Sequence, residues 1–190
     1  MASEFLHQKS KVLIVAFIFS ESIFFAFLLA AFVLYHGRSG NGPNPRSSLD
    51  PELTAIFSVI LWLSSLTVWL SEKALRRNSY RWSKRWLEAT MLLGVGFLIG
   101  QGFEYHGFFA KGFSVETDLF TTTFFSTTGF HGLHVLIGLI VLLIMRGLMS
   151  AGFGQEQYQR EGFEAACYYW HFVDAIWVAV FFIIYVWGTR

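Results

Sequence analysis

Five apolar runs, each long enough to cross a lipid bilayer, constrain this chain more than any other feature of its sequence. They cover roughly residues 12–35, 53–71, 86–109, 119–145 and 163–187. A transmembrane helix needs roughly 20 apolar residues, and a chain inside a bilayer must satisfy its own backbone hydrogen bonds. The sequence therefore predicts an all-α, polytopic membrane protein. We expect a bundle of five transmembrane helices that forms a single domain over residues 1–190.

The composition excludes several other classes of protein. Of the 190 residues, 54% are hydrophobic and only 14% are charged, whereas soluble domains carry about 25% charged residues. The sequence has no basic tract suited to nucleic acid and no phosphate loop or dinucleotide fingerprint. Its single cysteine, Cys167, excludes an internal disulfide and a cysteine metal site. The first run is longer than a signal-peptide core of about 7–15 residues, so we expect a retained helix.

The distribution of lysine and arginine predicts how the helices are oriented. Ten of these residues fall in the N-terminal segment and in alternate links: Lys9, Lys11, Lys73, Arg76, Arg77, Arg81, Lys84, Arg85, Arg146 and Arg160. The opposite side carries four: Arg38, Arg46, Lys111 and Arg190. Because the positively charged side usually faces the cytoplasm, we predict a cytoplasmic N-terminus and a periplasmic C-terminus.

Short polar signals mark helix ends and close packing. Asp50 precedes a proline at the start of the second run, and Asp118 precedes the fourth run; both are typical helix N-caps. Gly96 and Gly100 lie four residues apart in the third run. Small residues at this spacing favour close contact between transmembrane helices.

Ionisable side chains lie at mid-depth in three of the apolar runs. Glu21 lies in the first run, His131 and His134 in the fourth, and His171 and Asp174 in the fifth. At 1.5 Å per residue, Glu21 is about 14 Å from the predicted cytoplasmic end, and His134, His171 and Asp174 fall within about one helical turn of that depth. Such groups are costly among lipid tails and usually face a bundle interior, a pathway or a partner.

Each of these groups fits more than one interpretation. His171 and Asp174 are three residues apart and could simply pair with each other to hold a helix in place. His131 and His134 could be hydrogen-bonded packing residues, or the histidines could ligate a metal or haem. Glu21 is harder to explain by packing alone, because burial favours the neutral form of a carboxyl group. A role for Glu21 towards a partner or a lipid is therefore the better interpretation.

Four stretches of the sequence resemble signatures of cytochrome c oxidase subunit III. They are, in chain order, SESIFF at 20–25, FFSTTGFHGLHV at 124–135, GFEAA at 162–166 and YWHFVDAIW at 169–177. The first resembles the family segment that holds a buried, carbodiimide-reactive glutamate, which would be Glu21. Gln101, Glu104 and Tyr105 resemble the end of another helix of the family. The matches run in order over nearly the whole chain.

This resemblance implies a non-catalytic subunit of a proton-pumping haem–copper terminal oxidase, part of aerobic electron transport. In that family, subunit III binds no metal or haem of its own. It packs beside the catalytic subunit I, holds structural phospholipids and supports proton uptake, while haem and copper belong to partner subunits that include subunit II. By position, the polar helix-packing residues would be His131, His134, His171, Asp174, Glu104 and Glu164, with Glu164 at the cytoplasmic entrance of the last helix.

The five predicted helices match the last five of the seven in the fuller form of the family. We therefore expect either a small helical subunit or lipids in the place of the first two helices. Because five-helix versions are typical of bacteria, we expect a bacterial cytoplasmic membrane.

Two alternative functions stay open from the sequence. The nearest is the equivalent subunit of a quinol oxidase or a nitric oxide reductase; Glu21 favours the cytochrome c branch, because we expect aspartate at that position in the quinol branch. A more remote alternative is a haem-binding electron-transfer subunit that uses His134 and His171, which are predicted to lie at similar depths. A visible spectrum of the chain would distinguish this class from the others.

Overall fold

The computed structural model describes residues 2–36, 49, 51–116, 118–151 and 157–189, without the side chains of 2–11 and 157–159. Five long helices dominate, and no strand occurs among the described residues. The helices are α1 (Ala2–Tyr35), α2 (Pro51–Arg76), α3 (Tyr80–Ala110), α4 (Leu119–Ser150) and α5 (Gln157–Phe181), and a π-helical segment, Phe182–Trp187, continues α5. All five are long and apolar enough to cross a membrane. The predicted all-α, polytopic class is confirmed, and the chain is an integral membrane protein.

The helix ends follow the local sequence. Asp118 caps α4 as predicted: its Oδ1 accepts the backbone N–H of Thr121 at 2.8 Å, and the Thr121 hydroxyl accepts the backbone N–H of Asp118 at 3.1 Å. These two bonds satisfy donors that a helix start leaves unpaired. The other predicted cap, Asp50, lies outside the described residues. All five helices extend beyond the predicted apolar runs; α2, for example, continues as far as Arg76 and α4 as far as Ser150.

One end of the bundle carries most of the described basic residues. Arg76 at the end of α2 lies 3.1 Å from Glu164 in α5, and the Nε of Arg146 near the end of α4 donates to Glu88 in α3 at 2.7 Å. These contacts bring the basic links together, but which side of the membrane they face stays a prediction. Of the residues behind that prediction, the following lie outside the part whose side chains are described: Lys9, Lys11, Arg38, Arg46 and Arg190.

The helices pack as a closed ring. Neighbours around it follow the order α1, α5, α2, α3, α4, and α4 also contacts α5 across the ring. The α2–α3 contact is the most extensive. A Cβ on Gly100 of α3 would overlap the ring of Phe57 in α2, and one on Gly96 would lie 3.7 Å from Ile60. The predicted glycine step is therefore a close contact between these two helices.

Trp170 of α5 fills the centre of the ring. Its side chain is fully buried, and its indole Nε1 donates to the hydroxyl of Ser64 in α2 at 2.9 Å. A Cβ on Gly94 of α3 would lie 2.7 Å from the Trp170 ring, and one on Gly138 of α4 would lie 2.9 Å from it. This single side chain therefore contacts three other helices, and two of them provide glycines where the ring needs space.

Candidate functional site: polar groups inside the bundle

The Glu21 carboxylate of α1 and the His134 imidazole of α4 form a pair. The Nε2 atom of His134 lies 3.2 Å from Oε2 of Glu21, and the two side chains are 12% and 25% exposed, respectively. The ring of Phe25 lies edge-on to His134 with its centroid 5.1 Å away. Two residues singled out by their similar depth in the sequence are thus in contact. The pair connects α1, the least buried of the candidate spans, to the rest of the bundle.

The hydrogen bonds of His134 determine the net charge of this pair. Its Nδ1 lies 2.7 Å from the carbonyl oxygen of Phe130. A carbonyl can only accept, so Nδ1 carries a proton. A hydrogen bond between Nε2 and Glu21 then needs one further proton, on either the imidazole or the carboxyl group. Both arrangements have zero net charge, which is the state that a low-dielectric membrane interior favours.

His171 and Asp174 of α5 meet at the hydroxyl of Ser65 in α2. Ser65 Oγ lies 3.1 Å from Nδ1 of His171 and donates to the Asp174 carboxylate. Among the described residues, no hydrogen bond joins His171 directly to Asp174, and none joins this unit to Glu21 or His134. The four groups that the helical rise places at similar depth therefore form two separate units, one between α1 and α4 and the other between α2 and α5.

Asp174→Ala is expected to lower the free energy of unfolding by about 1 kcal/mol, the typical net contribution of one buried hydrogen bond. The loss is small because the freed Ser65 hydroxyl can turn to His171. Thermal unfolding of the variant in detergent would measure it. The matched control is Glu116→Ala, at an exposed position outside the helices, which should change nothing. Equal unfolding midpoints for both variants would count against a polar unit at Ser65.

His131 is enclosed by aromatic rings. Its side chain is fully buried and stacks on Trp177 with 4.7 Å between ring centroids, while Phe97 and Phe25 lie edge-on at 5.7 and 6.3 Å. Both ring nitrogens are buried without a hydrogen-bond partner among the described residues. His131 is one helical turn from His134, yet its imidazole packs as an aromatic ring, whereas that of His134 is hydrogen-bonded.

Glu104 lies in a polar cluster nearer the other end of the bundle. Its two carboxylate oxygens accept from the hydroxyls of Thr54 at 3.1 Å and Tyr185 at 2.7 Å. One turn earlier in α3, Gln101 donates to the carbonyl oxygen of Thr128 at 2.6 Å. The cluster connects α3 to α2, α4 and the π-helical end of α5. Hydrogen bonds of this kind between helices stabilise membrane bundles.

Glu164 lies at the opposite end, in a surface network with Arg76. The Arg76 guanidinium lies 3.1 Å from Glu164 and 2.8 Å from Glu72, and it is 58% exposed. Exposed ion pairs contribute little to stability. Glu164 thus joins α5 to α2 at the basic end of the bundle; its place at the cytoplasmic entrance of the last helix, which the family resemblance implies, stays a prediction.

Among the residues that the structure describes, no three histidine, cysteine, aspartate or glutamate side chains lie together so that they could hold one metal ion. His134 and His171, the two histidines considered as haem ligands, belong to different polar units. His134 has contacts at both ring nitrogens, to Phe130 and Glu21.

Sequence reasoning missed the residues of α2 that receive α5. The Ser64 hydroxyl accepts the indole N–H of Trp170. The Ser65 hydroxyl is hydrogen-bonded to both His171 and Asp174. Six residues before Ser64 in α2, the hydroxyl of Ser58 accepts the indole N–H of Trp177 at 2.8 Å. The signal was present, because serines inside an apolar run need a partner, and two tryptophans seven residues apart in α5 lie on one helical face.

The fold and these polar units define a class: a polytopic helical membrane protein whose buried polar units join its own helices. Comparison with known proteins then identifies the family. The sequence pattern described as "Cytochrome c oxidase subunit III" matches residues 3–189 of the chain. The chain belongs to the cytochrome c oxidase subunit III family.

Relatives from distant organisms agree with this identification. "Cytochrome c oxidase subunit 3" of Thermostichus vulcanus is 32% identical over 183 residues, which cover 95% of this chain and 89% of the relative. The protein of the same name from Rhipicephalus sanguineus is 39% identical over 193 residues, covering 93% and 70%. "Probable cytochrome c oxidase subunit 3" of Mycobacterium bovis is 34% identical over 168 residues, covering 87% and 82%. Membership implies a complex with other oxidase subunits.

Proposed function

We propose that this chain is a non-catalytic subunit of a proton-pumping haem–copper oxidase that receives electrons from cytochrome c. It packs beside the catalytic subunit I in a complex that also contains subunit II, stabilises that subunit and supports its proton uptake. The observation that carries the proposal is the family match over residues 3–189. The buried polar groups support it, since His134 pairs with Glu21 and His171 bonds to Ser65, contacts that serve the packing of helices.

Haem and copper, in this proposal, belong to the partner subunits, and the chain itself binds no metal or haem. The polar residues that act as packing groups between helices are Glu104, His131, His134, Glu164, His171 and Asp174. Glu21, which pairs with His134 and is 25% exposed, is the buried carboxylate near a partner subunit or lipid. The membrane is a bacterial cytoplasmic membrane, with the N-terminus in the cytoplasm and the C-terminus in the periplasm. The excess of lysine and arginine at one end of the bundle supports that orientation.

Phospholipid binding is part of the same proposal. An apolar groove of about 630 Å³ lies between α3 and α4, where Leu92, Val95, Leu136 and Leu143 line it. Glu88 also lines the groove, at the end of the bundle that carries most of the basic residues, and it pairs with Arg146. An acyl chain fits the apolar walls, and anionic head groups are attracted to the lysines and arginines nearby. A small helical subunit is a further proposed partner, beside the bundle.

Purification of the tagged chain from its native membrane tests the proposal. We expect the other oxidase subunits, with their haem and copper, to be purified together with it. After separation from these partners, the chain should show no haem absorbance and no stoichiometric iron, copper or zinc. A haem spectrum that stays with the separated chain would contradict the proposal and favour an electron-transfer subunit.

A further inference from the structure

One side of α5 faces away from the rest of the bundle. We call it the outer stripe, and its residues follow helical spacing: Tyr168, His171, Ala175, Val178 and Phe182. Tyr168, Val178 and Phe182 are 46%, 39% and 52% exposed. Apolar residues on such a surface are compatible with either lipid or protein. His171 is the exception, because its imidazole is only partly buried within the stripe.

The depth of His171 excludes solvation by water or head groups. The span that contains it begins at Arg160, and eleven residues of helix place His171 about 17 Å from that end. The span has 28 residues, so a hydrocarbon core about 30 Å thick that is centred on it encloses His171. The open side of the imidazole then faces either lipid tails or another protein. Hydrocarbon offers no hydrogen bond, and an unsatisfied polar group there is costly.

The hydrogen bonds within the chain leave one nitrogen of His171 unsatisfied. Nδ1 bonds to the Ser65 hydroxyl, which also bonds to Asp174. Because the Ser65 hydroxyl donates to Asp174, Nδ1 of His171 donates to Ser65, and Nε2 is left as an acceptor. This Nε2 atom lacks a partner among the described residues. In α2, three residues before Ser65, the indole Nε1 of Trp62 is likewise buried without a described partner.

From this geometry we propose that a transmembrane helix of another oxidase subunit packs on the outer stripe and places a neutral hydrogen-bonding side chain on Nε2 of His171. The proposal rests on the proposed function, and it names the surface through which the chain joins its complex. Ala175, one turn from His171, has the small side chain that lets two helices approach closely. A cation is a poor partner, because Asp174 is only 4% exposed and its carboxylate is inaccessible from outside.

Photo-crosslinking in the native membrane tests this surface in the assembled complex. Val178 is replaced by p-benzoylphenylalanine, which reacts on illumination with C–H bonds that it contacts. The control carries the same residue in place of Leu143, which lines the groove between α3 and α4 and is 61% exposed. We expect an adduct between position 178 and another oxidase subunit, and lipid adducts alone at position 143.

Several results would overturn the proposal: only lipid adducts at position 178, an adduct with a second copy of this chain or with a protein outside the oxidase, or equal protein adducts at both positions. Co-purification of the complex is measured in the same sample. If the oxidase subunits co-purify but position 178 gives no adduct with them, the surface is wrong and the proposed function stands. If they do not co-purify, the proposed function itself fails.

The role of the imidazole is tested in the same background. With p-benzoylphenylalanine at position 178, His171→Leu should lower the adduct yield about threefold. An interhelical hydrogen bond in a membrane changes the association constant of two helices by about that factor. His171→Gln keeps a hydrogen-bonding group near the position of Nε2 and should restore the yield. An unchanged yield with leucine would overturn the assignment to His171. The amount of chain in the membrane shows whether each variant folds, and the unsubstituted His171 background tests the surface independently.

Discussion

Replacing Trp170 with alanine is expected to lower the free energy of unfolding by about 3–5 kcal/mol, the range for truncating a large buried aromatic residue. The effect is large because Trp170 is fully buried and packs against Gly94 and Gly138 on two other helices. Its loss leaves a cavity that these glycines cannot fill, and it removes the indole N–H that donates to the Ser64 hydroxyl. Denaturation of the purified chain in mixed micelles would measure the change.

A matched control separates this cavity from a general effect of losing tryptophan. Trp69 lies in α2 and is 45% exposed, so Trp69→Ala should change the stability far less. Trp170→Phe should fall between the two, because it keeps most of the ring volume but loses the hydrogen bond to Ser64. If Trp69→Ala and Trp170→Ala destabilised the chain equally, the ring packing described for Trp170 would be wrong.

His134→Phe is expected to destabilise the chain and His131→Phe is not, although the two residues are one helical turn apart. His134→Phe leaves the Glu21 carboxyl group without its partner, which should cost about 1–3 kcal/mol. His131→Phe replaces an imidazole whose nitrogens have no described partner with a ring of similar shape. Its stability should be unchanged or higher, because the desolvation penalty of the buried nitrogens disappears. Thermal unfolding in detergent would measure both changes.

A double variant tests why His134→Phe lowers the stability. In the double variant Glu21→Leu with His134→Phe, both polar partners are gone, and most of the stability should return. A double variant as unstable as His134→Phe alone would mean that the loss comes from ring packing against Phe25, and that the pair contributes little.

The sequence was sufficient to predict the five helices and the Asp118 cap, because apolar length and helix capping are local properties. The constant rise of a helix also placed Glu21 and His134 at the same depth, and the structure brings them into contact. The order of helices around the ring is not a local property. The depths alone therefore could not separate the Glu21–His134 pair from the unit that His171 and Asp174 form with Ser65.

Other parts of the site depended on side-chain direction, which spacing does not provide. His131 and His134 share a face of α4, but a small difference in angle gives one an aromatic enclosure and the other a carboxylate partner. The importance of Trp170 was also hidden, since its glycine contacts come from α3 and α4. Contacts among three or four helices can be recognised only once the bundle is assembled.

The oxygen-reduction rate of the assembled oxidase with Glu21→Gln tests most directly whether this chain supports catalysis without performing it. A glutamine amide can donate to Nε2 of His134 while Nδ1 still donates to Phe130, so assembly should be nearly intact. Measured per haem in the purified complex, the initial rate should equal that of the unaltered complex, and any loss should appear in proton uptake or in lifetime during turnover. An assembled complex with its full haem content that no longer reduces oxygen would show that Glu21 takes part in the chemistry, and would contradict the assignment of a supporting role.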